Sequence, residues 1–490
     1  MTTASSAFDL KSLAQVAMLD KGFNPNFPPA VLKEVAELRP PIIPLRTSEM
    51  RDLRPQLWFS LDNDDSRDLD QLTFAESLPD GKYKLYIAVA NVDLLVKKDS
   101  AIDHYAAANT TSVYTPAQIF PMLPEHLSTD LTSLNPGEDR LAVIFEGIIL
   151  NDGNLETSSV YLAYVHNHAK LAYNGVSAWL DEKGPMPTPI ENTPGMADQI
   201  RLQDTIAQIL AKNRHSKGAL SLETIEGQTV FSNNEPVAIT PTQINRGRIL
   251  IENFMVLANT ISSKFSEAHQ IPSIQRVVTV PKRWDKIREI ATDHNTNLPL
   301  TPDPVALEKF LVEQKQADPI SFPDLSLTII KLLGNGEYRV LLPGNASPGH
   351  FGLALRDYSH STAPNRRFPD LITQRLILAT LAKQSLPYTL NELNGLADHC
   401  TQKEDDAQKV ERQMRKSAAA IVLSTQIGKE FDGIVTGVNE KGTWVRIFNP
   451  PVDGKLLKGI ARVDVGDRIR VKLIHTDIRA GYIDFVSAHQ

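Results

Sequence analysis

The sequence predicts an α+β chain of several domains: a small helical module over residues 1–45, a mixed α/β domain over 46–427 and a carboxy-terminal OB-type β-barrel over 428–490. Three observations carry that prediction. Two short segments near the start place apolar residues at helical spacing. An acidic run, Ser60 to Leu72, sits between two segments that read as strands. Beyond residue 428 the chain breaks into short alternating stretches separated by glycine turns, the pattern of a small barrel.

Composition narrows the function classes. The chain has 490 residues, 42% of them apolar, ample for packed cores. Its one cysteine, Cys400, excludes an internal disulfide and a cysteine zinc cluster. The amino terminus lacks the basic start and apolar core of a signal peptide, and no apolar run approaches a membrane span. A soluble cytoplasmic protein with no membrane partner is expected. The net charge of −7 argues mildly against nucleic acid, but from Lys441 to Gln490 nine Lys or Arg face five Asp.

The elements follow in order. LKSLAQVAML and PPAVLKEVAEL read as two helices, the second opened by Pro28 and Pro29. They make either a helix-turn-helix-like grip on nucleic acid or a packing element, closed by the Pro-rich segment 40–44. The acidic run carries Asp62, Asp64, Asp65, Asp68 and Asp70. It has three readings: a solvated turn, a calcium loop or a site for a hard divalent ion such as Mg²⁺. The calcium pattern fails at its sixth position, Arg67, and at its twelfth, Thr73. Residues 181–198 read as an exposed Pro-rich insertion. Residues 245–265 read as a helix with the core stripe Ile251, Phe254, Ala258, Ile261 and Phe265; Glu252 lies off that stripe, one turn from Arg248. Pro369 opens a further helix, which puts Arg366 and Arg367 just before a helix amino terminus, a natural phosphate cradle. Residues 391–426 read as a charged helix that closes the central domain. In the barrel, Trp444, Arg446, Phe448 and Arg462 are candidate contacts for a single strand, and Trp444 reads equally as core.

Several motifs occur together and in order: DSAID (Asp99–Asp103), TSVY (Thr111–Tyr114), PMLP (Pro121–Pro124), Leu127-Ser128, Ser133-Leu134, Arg140-Leu141-Ala142, IENFM from Ile251 and HFGL from His350. With the acidic run and the Arg366-Arg367 pair, they resemble the ribonuclease II (RNB) family of exoribonucleases, in a short form without amino-terminal cold-shock barrels. The resemblance covers roughly residues 50–490. It implies a 3′→5′ exoribonuclease that hydrolyses RNA processively to 5′-nucleoside monophosphates by two-metal chemistry with Mg²⁺, or Mn²⁺ as a substitute, acting as a monomer on single-stranded RNA or RNA 3′ ends.

The resemblance also implies the site residues. Asp62, Asp68 and Asp70 fall on three family aspartates, and Gln71 stands where the fourth would be. Asp70 and Arg366 are then catalytic; Asp62, Asp68, Asp70 and Gln71 hold metal. Asp65 is expected to restore the charge that Gln71 lacks. Tyr114 and Tyr173 face the RNA end, with Leu222 in place of a frequent aromatic, and Glu252 reads the ribose 2′-OH, as Arg367, Trp444 and Arg446 contact RNA. Other departures are Asn91, Asp99, Asn253, Ala363, Asn365, Phe368 and Gln374. Two rival readings stay open: an RNA-binding protein on a catalytically weak or inactive scaffold of this kind, and a phosphodiesterase acting on DNA or short nucleotides.

Overall fold

The computed structural model describes residues 9–41, 50–233, 235–242, 244–439, 442–458 and 463–488. The Pro-rich 42–44 and Arg462 therefore lie outside the described residues.

The two predicted helices form at Leu10–Asp20 and Pro29–Glu37. Asp9 caps the first by accepting from the N–H groups of Lys11 and Ser12. Its buried face, Leu10, Ala14, Ala17 and Met18, packs on Val410 and Met414 of the long helix Leu390–Ser424. Val31 and Val35 of the second join the main core. The Glu34 carboxylate there accepts from the N–H groups of Ala101 and Ile102 at 2.7 and 3.2 Å, capping the helix Ala101–Asn109. Both apolar faces are thus spent on packing.

The central sheet runs in the order Arg51–Asp52, Leu155–Ala172, Trp58–Asp62, Gln71–Ser77, Tyr83–Ala90, Asp139–Ile149. The 18-residue strand Leu155–Ala172 pairs antiparallel with Asp139–Ile149 and, further along, parallel with Trp58–Asp62. The sheet therefore curls back on itself around Trp58, Phe59, Phe145 and Leu85, all fully buried. The helix Arg246–Ala268 buries the whole predicted stripe against it. Residues 181–198 are largely exposed, as expected, but Ile190 and Met196 anchor the segment in the core. A unit around helices Trp284–Asp293, Pro304–Ala317 and Phe322–Leu333 has its own core of Trp284, Ile287, Phe310 and Phe322.

The helix Leu390–Ser424 opens on a capping box, Thr389 with Glu392, and runs 35 residues. Its last buried residues, Ala419, Ala420 and Leu423, plug a closed five-stranded barrel formed by Glu430–Asn439, Gly442–Ile447, Val452–Lys458, Tyr482–Ser487 and Arg468–Asp477. Gly454 is required there, because a Cβ would stand 2.3 Å from the Phe485 ring.

Candidate active site

The acidic loop begins where the strand Trp58–Asp62 ends and is pinned at several points. A turn closes from Ser66 N–H to the Asn63 carbonyl, and the Lys170 ammonium holds the Ser66 carbonyl. Ser133 then takes the Leu69 N–H on its hydroxyl at 3.0 Å and donates to the Arg67 carbonyl at 3.1 Å. Leu69 and Asp70 are buried and Asp68 is half-buried. The Ser133-Leu134 motif is thus what folds this loop: the Leu134 N–H also donates to the Leu69 carbonyl at 2.9 Å.

Facing it is the turn Ser359–Arg367. Its N–H groups are claimed in sequence: Ser361 by the Asn259 side chain, Ala363 by Asp370, and Asn365 by Asp70 Oδ1 at 3.1 Å. Gln71 donates through Nε2 to the Thr362 carbonyl. From the other side, Ser112 N–H donates to the Arg366 carbonyl at 2.9 Å, so the TSVY segment grips the same turn. Arg367 forms a bidentate pair with buried Asp370, both bonds 2.8 Å. That pair commits the Arg367 fork to the protein and leaves Arg366 to face the acidic loop.

The Arg366 Nε stands 3.3 Å from Asp70 Oδ2. The contact is not aligned as a hydrogen bond, and that buried oxygen has no hydrogen-bond partner among the described residues. Burial raises the Asp70 pKa to about 7; Arg366 opposes the shift and Asp68 adds to it. Burial likewise raises Asp68, with Asp62 contributing. Burial disfavours the Arg366 charge, but Asp70, Tyr114, Asp62 and Asp68 together outweigh it and keep the guanidinium protonated. Three carboxylates therefore crowd around one cation and are short of positive charge.

Among the described residues, no three Asp, Glu, His or Cys side chains by themselves enclose a metal ion. The donor set nevertheless fits a hard divalent ion, which seldom takes an all-protein cage and completes its shell with water and substrate phosphate. The partnerless Asp70 Oδ2 is the atom such an ion would satisfy. Asp62, Asp68 and Asp70 are the residues that would hold it.

A stability prediction follows from Asp70. Its folded pKa of about 7 lies above the ordinary 3.8. Between those values the folded state keeps a proton that the unfolded state has lost, so this group's contribution to stability falls as pH rises through that window. In EDTA, the stability of Asp70→Asn relative to the parent protein is expected to rise by about 1–3 kcal/mol between pH 4 and pH 8. Thermal unfolding at the two pH values checks the sign.

The expectation that Asp65 restores the charge Gln71 lacks needs correction. Asp65 is exposed at the tip of the Asn63–Ser66 turn, and Asp64 accepts from Asn174 at 2.9 Å. Neither faces the carboxylate group, because the turn that folds Asp68 and Asp70 inward throws these two outward. Gln71 tethers the Arg366 turn through its amide nitrogen, which donates to the Thr362 carbonyl, and that bond does not engage the amide oxygen expected to reach a metal. Asp65→Asn is accordingly expected to change the metal dependence of cleavage by less than about twofold, read from a metal titration of the rate.

The aromatic residues do adjoin the carboxylates. Tyr114 is exposed as a residue, and its hydroxyl pKa is raised to about 12 by burial, with Arg366 opposing and Asp68 and Asp70 adding. The Tyr173 hydroxyl is raised by burial and then by Asp62, and Arg248 lies 5.6 Å from its ring centroid. Arg248, read in the sequence only as a neighbour of Glu252, also donates to Asn63 at 2.8 Å. Glu252 pairs instead with Arg214 of the helix Met196–Ser216, at 3.0 Å. Leu222 packs on the core of the helical unit 284–333. Trp444 and Arg446 lie away from this site, on the barrel, where Arg446 pairs with Asp453 at 2.9 Å.

Residues 50–383 match the family described as "RNB domain", and residues 429–488 match "RNase II-type exonuclease C-terminal S1 domain". The chain belongs to the RNB family. Ribonuclease R of Aquifex aeolicus is 30% identical over 436 residues, which span 88% of this chain and 60% of that protein. The solved structure titled Mycoplasma genitalium RNase R in complex with ribose methylated single-stranded RNA has a TM-score of 0.88 at 25% identity, covering 98% of this chain and 78% of that one. Yeast Ssd1, titled a pseudonuclease, shares the fold alone, with a TM-score of 0.73 at 16% identity over 92% of this chain and 56% of that one. This RNB chain spans 53–60% of the length of the first curated relatives it matches. The RNB fold thus occurs in both nucleases and a pseudonuclease, and the side chains described above must decide between them.

Proposed function

We propose that this chain is a 3′→5′ hydrolytic exoribonuclease that shortens single-stranded RNA processively and releases 5′-nucleoside monophosphates, using Mg²⁺ or, in its place, Mn²⁺. The observation that carries the proposal is the buried Asp70 carboxylate with its partnerless Oδ2, flanked by Asp62 and Asp68 around Arg366. Family membership supports the direction and products, since the curated relatives it matches are named Ribonuclease R. A divalent ion bound by these carboxylates would supply an activated water and offset charge on the scissile phosphate.

The chain's own groups do the rest. Arg366 stays protonated and offsets charge that develops on the phosphate. Tyr114 and Tyr173 offer ring faces on which the last bases stack, at roughly 1–3 kcal/mol per base. Glu252, held by Arg214, keeps one oxygen able to accept from a ribose 2′-OH. Trp444 and Arg446 extend the contact onto the barrel. We place the protein in the cytoplasm as a monomer; no described helix is long and apolar enough to cross a membrane.

The inactive-scaffold reading rests on Gln71 and leaves Asp70 without a purpose, because a buried charge with an unpaired oxygen is costly unless a ligand completes it. One experiment separates the readings. A 5′-labelled single-stranded RNA should pass to short end products with few intermediates in Mg²⁺ and remain intact with EDTA, while a 3′-labelled strand releases labelled mononucleotide from the start. Tight binding with no cleavage in either buffer makes this an RNA-binding scaffold.

A further inference from the structure

Two histidines of the central sheet form a cluster that shares no residue with the Asp62, Asp68, Asp70 and Arg366 group. His166 and His168 alternate along the strand Leu155–Ala172, so both side chains leave the same face of the sheet. Asp139 lies directly opposite His166 on the neighbouring strand. Its Oδ1 stands 2.7 Å from His166 Nδ1, and its Oδ2 accepts from Arg54 at 2.9 Å. His168 Nε2 stands 3.2 Å from the Arg54 carbonyl oxygen. Both histidines are half-buried.

These contacts set the tautomers. A carboxylate and a backbone carbonyl only accept, so each ring turns its N–H toward them. In the neutral rings the lone pairs then sit on His166 Nε2 and His168 Nδ1. Neither of those nitrogens has a hydrogen-bond partner among the described residues. Metal-bound imidazoles are held in this way, one nitrogen on the ion and the other donating to a carboxylate or a backbone carbonyl. The ring spacing agrees, since the two centroids are 4.8 Å apart. Two imidazoles bound about 2.0–2.1 Å from one ion, at angles between square and tetrahedral, put their centroids roughly 4.5–5.2 Å apart. The local charge also suits a cation, because Asp52 and Asp139 both flank Arg54 and more than balance it.

We propose that His166 and His168 hold one transition-metal ion of the Zn²⁺ class, with Asp139 and the Arg54 carbonyl orienting the rings from behind and water filling the remaining positions. Imidazole nitrogen favours Zn²⁺, Ni²⁺ and Cu²⁺ over Mg²⁺, so this pair and the carboxylate group select different ions. Its place in the sheet gives the ion a structural part. The Arg54 turn leads into the strand Trp58–Asp62, which pairs with Asn167–Ala172 of the histidine strand. Lys170, two residues beyond His168, holds the Ser66 carbonyl of the acidic loop. An ion on the two rings therefore ties together the strands from which that loop springs, and it takes no part in cleavage.

The test reads binding, so it stands or fails apart from the nuclease reading. Zn²⁺ is titrated calorimetrically into the full chain in excess Mg²⁺, which competes at the carboxylates and not at the imidazoles. The parent chain should bind one Zn²⁺ that His168→Gln loses or holds at least about tenfold more weakly, and Asp139→Asn, which keeps both rings, should weaken the same ion about tenfold. A second measurement needs no variant. Modification of histidines by diethyl pyrocarbonate, followed by mass spectrometry, should show Zn²⁺ protecting His166 and His168 but not His126 and His475, each paired with a single carboxylate. Equal Zn²⁺ stoichiometry and affinity in the parent and His168→Gln overturns the proposal, as does equal protection, or none, at all four histidines.

Discussion

Asp70→Asn is expected to lower RNA cleavage more than a hundredfold while changing RNA affinity less than about threefold. The substitution preserves shape. Oδ1 continues to accept the Asn365 N–H, so the Arg366 turn stays anchored. What is lost is the charge on Oδ2, the buried oxygen without a hydrogen-bond partner. An amide nitrogen there would also face the Arg366 guanidinium, donor against donor. Affinity persists because Tyr114, Tyr173 and the basic barrel are untouched. Single-turnover cleavage, paired with binding in EDTA, gives both quantities. A variant that keeps more than a tenth of the parent rate, a loss of under about 1.4 kcal/mol, removes Asp70 from the chemistry.

Arg366→Ala carries the second large effect, a loss of about 10²–10³ in kcat, from removal of a preorganised cation where phosphate charge develops. A second signature separates this role from a mere salt bridge. Arg366 is the main influence holding the Asp70 and Asp68 pKa values down against burial. Without it both carboxylates titrate higher, so they ionise, and accept metal, only at higher pH. The rising limb of the pH–rate profile is therefore expected to move upward in the variant at fixed metal concentration. An unchanged kcat with an unmoved limb assigns Arg366 to structure alone.

The sequence made the carboxylate cluster of the candidate site legible because its residues sit in short motifs whose spacing survives without knowledge of tertiary partners. Asp62, Asp68, Asp70 and Arg366 all converge as the motifs imply. Legibility failed where direction depends on a distant group. Arg366 and Arg367 are adjacent, yet buried Asp370 claims one and the acidic loop the other. Asp65 and Asp68 share one loop, but the distant Ser133 hydroxyl pins only the stretch around Asp68, at the Arg67 carbonyl and the Leu69 N–H, and Asp65 stays exposed. Glu252 lies one helical turn from Arg248, whereas its partner Arg214 lies 38 residues away on another helix, which no local spacing shows. Asp99 shows the reverse: a departure from glycine that the fold absorbs, at φ 66°, since a short Asp tolerates the left-handed region. The core of the helical unit 284–333 carried no motif, so only packing revealed it.

The central claim is that Asp62, Asp68 and Asp70 form one divalent-metal site beside Arg366. Mn²⁺ binding followed by electron paramagnetic resonance tests it without requiring turnover. The protein should bind Mn²⁺ with an affinity that weakens as pH falls below about 7, where Asp70 takes up its proton. Asp70→Asn should lose at least one bound ion, or weaken it more than tenfold, and abolish that pH dependence. Equal Mn²⁺ stoichiometry and affinity in the two proteins at pH 8 would contradict the account.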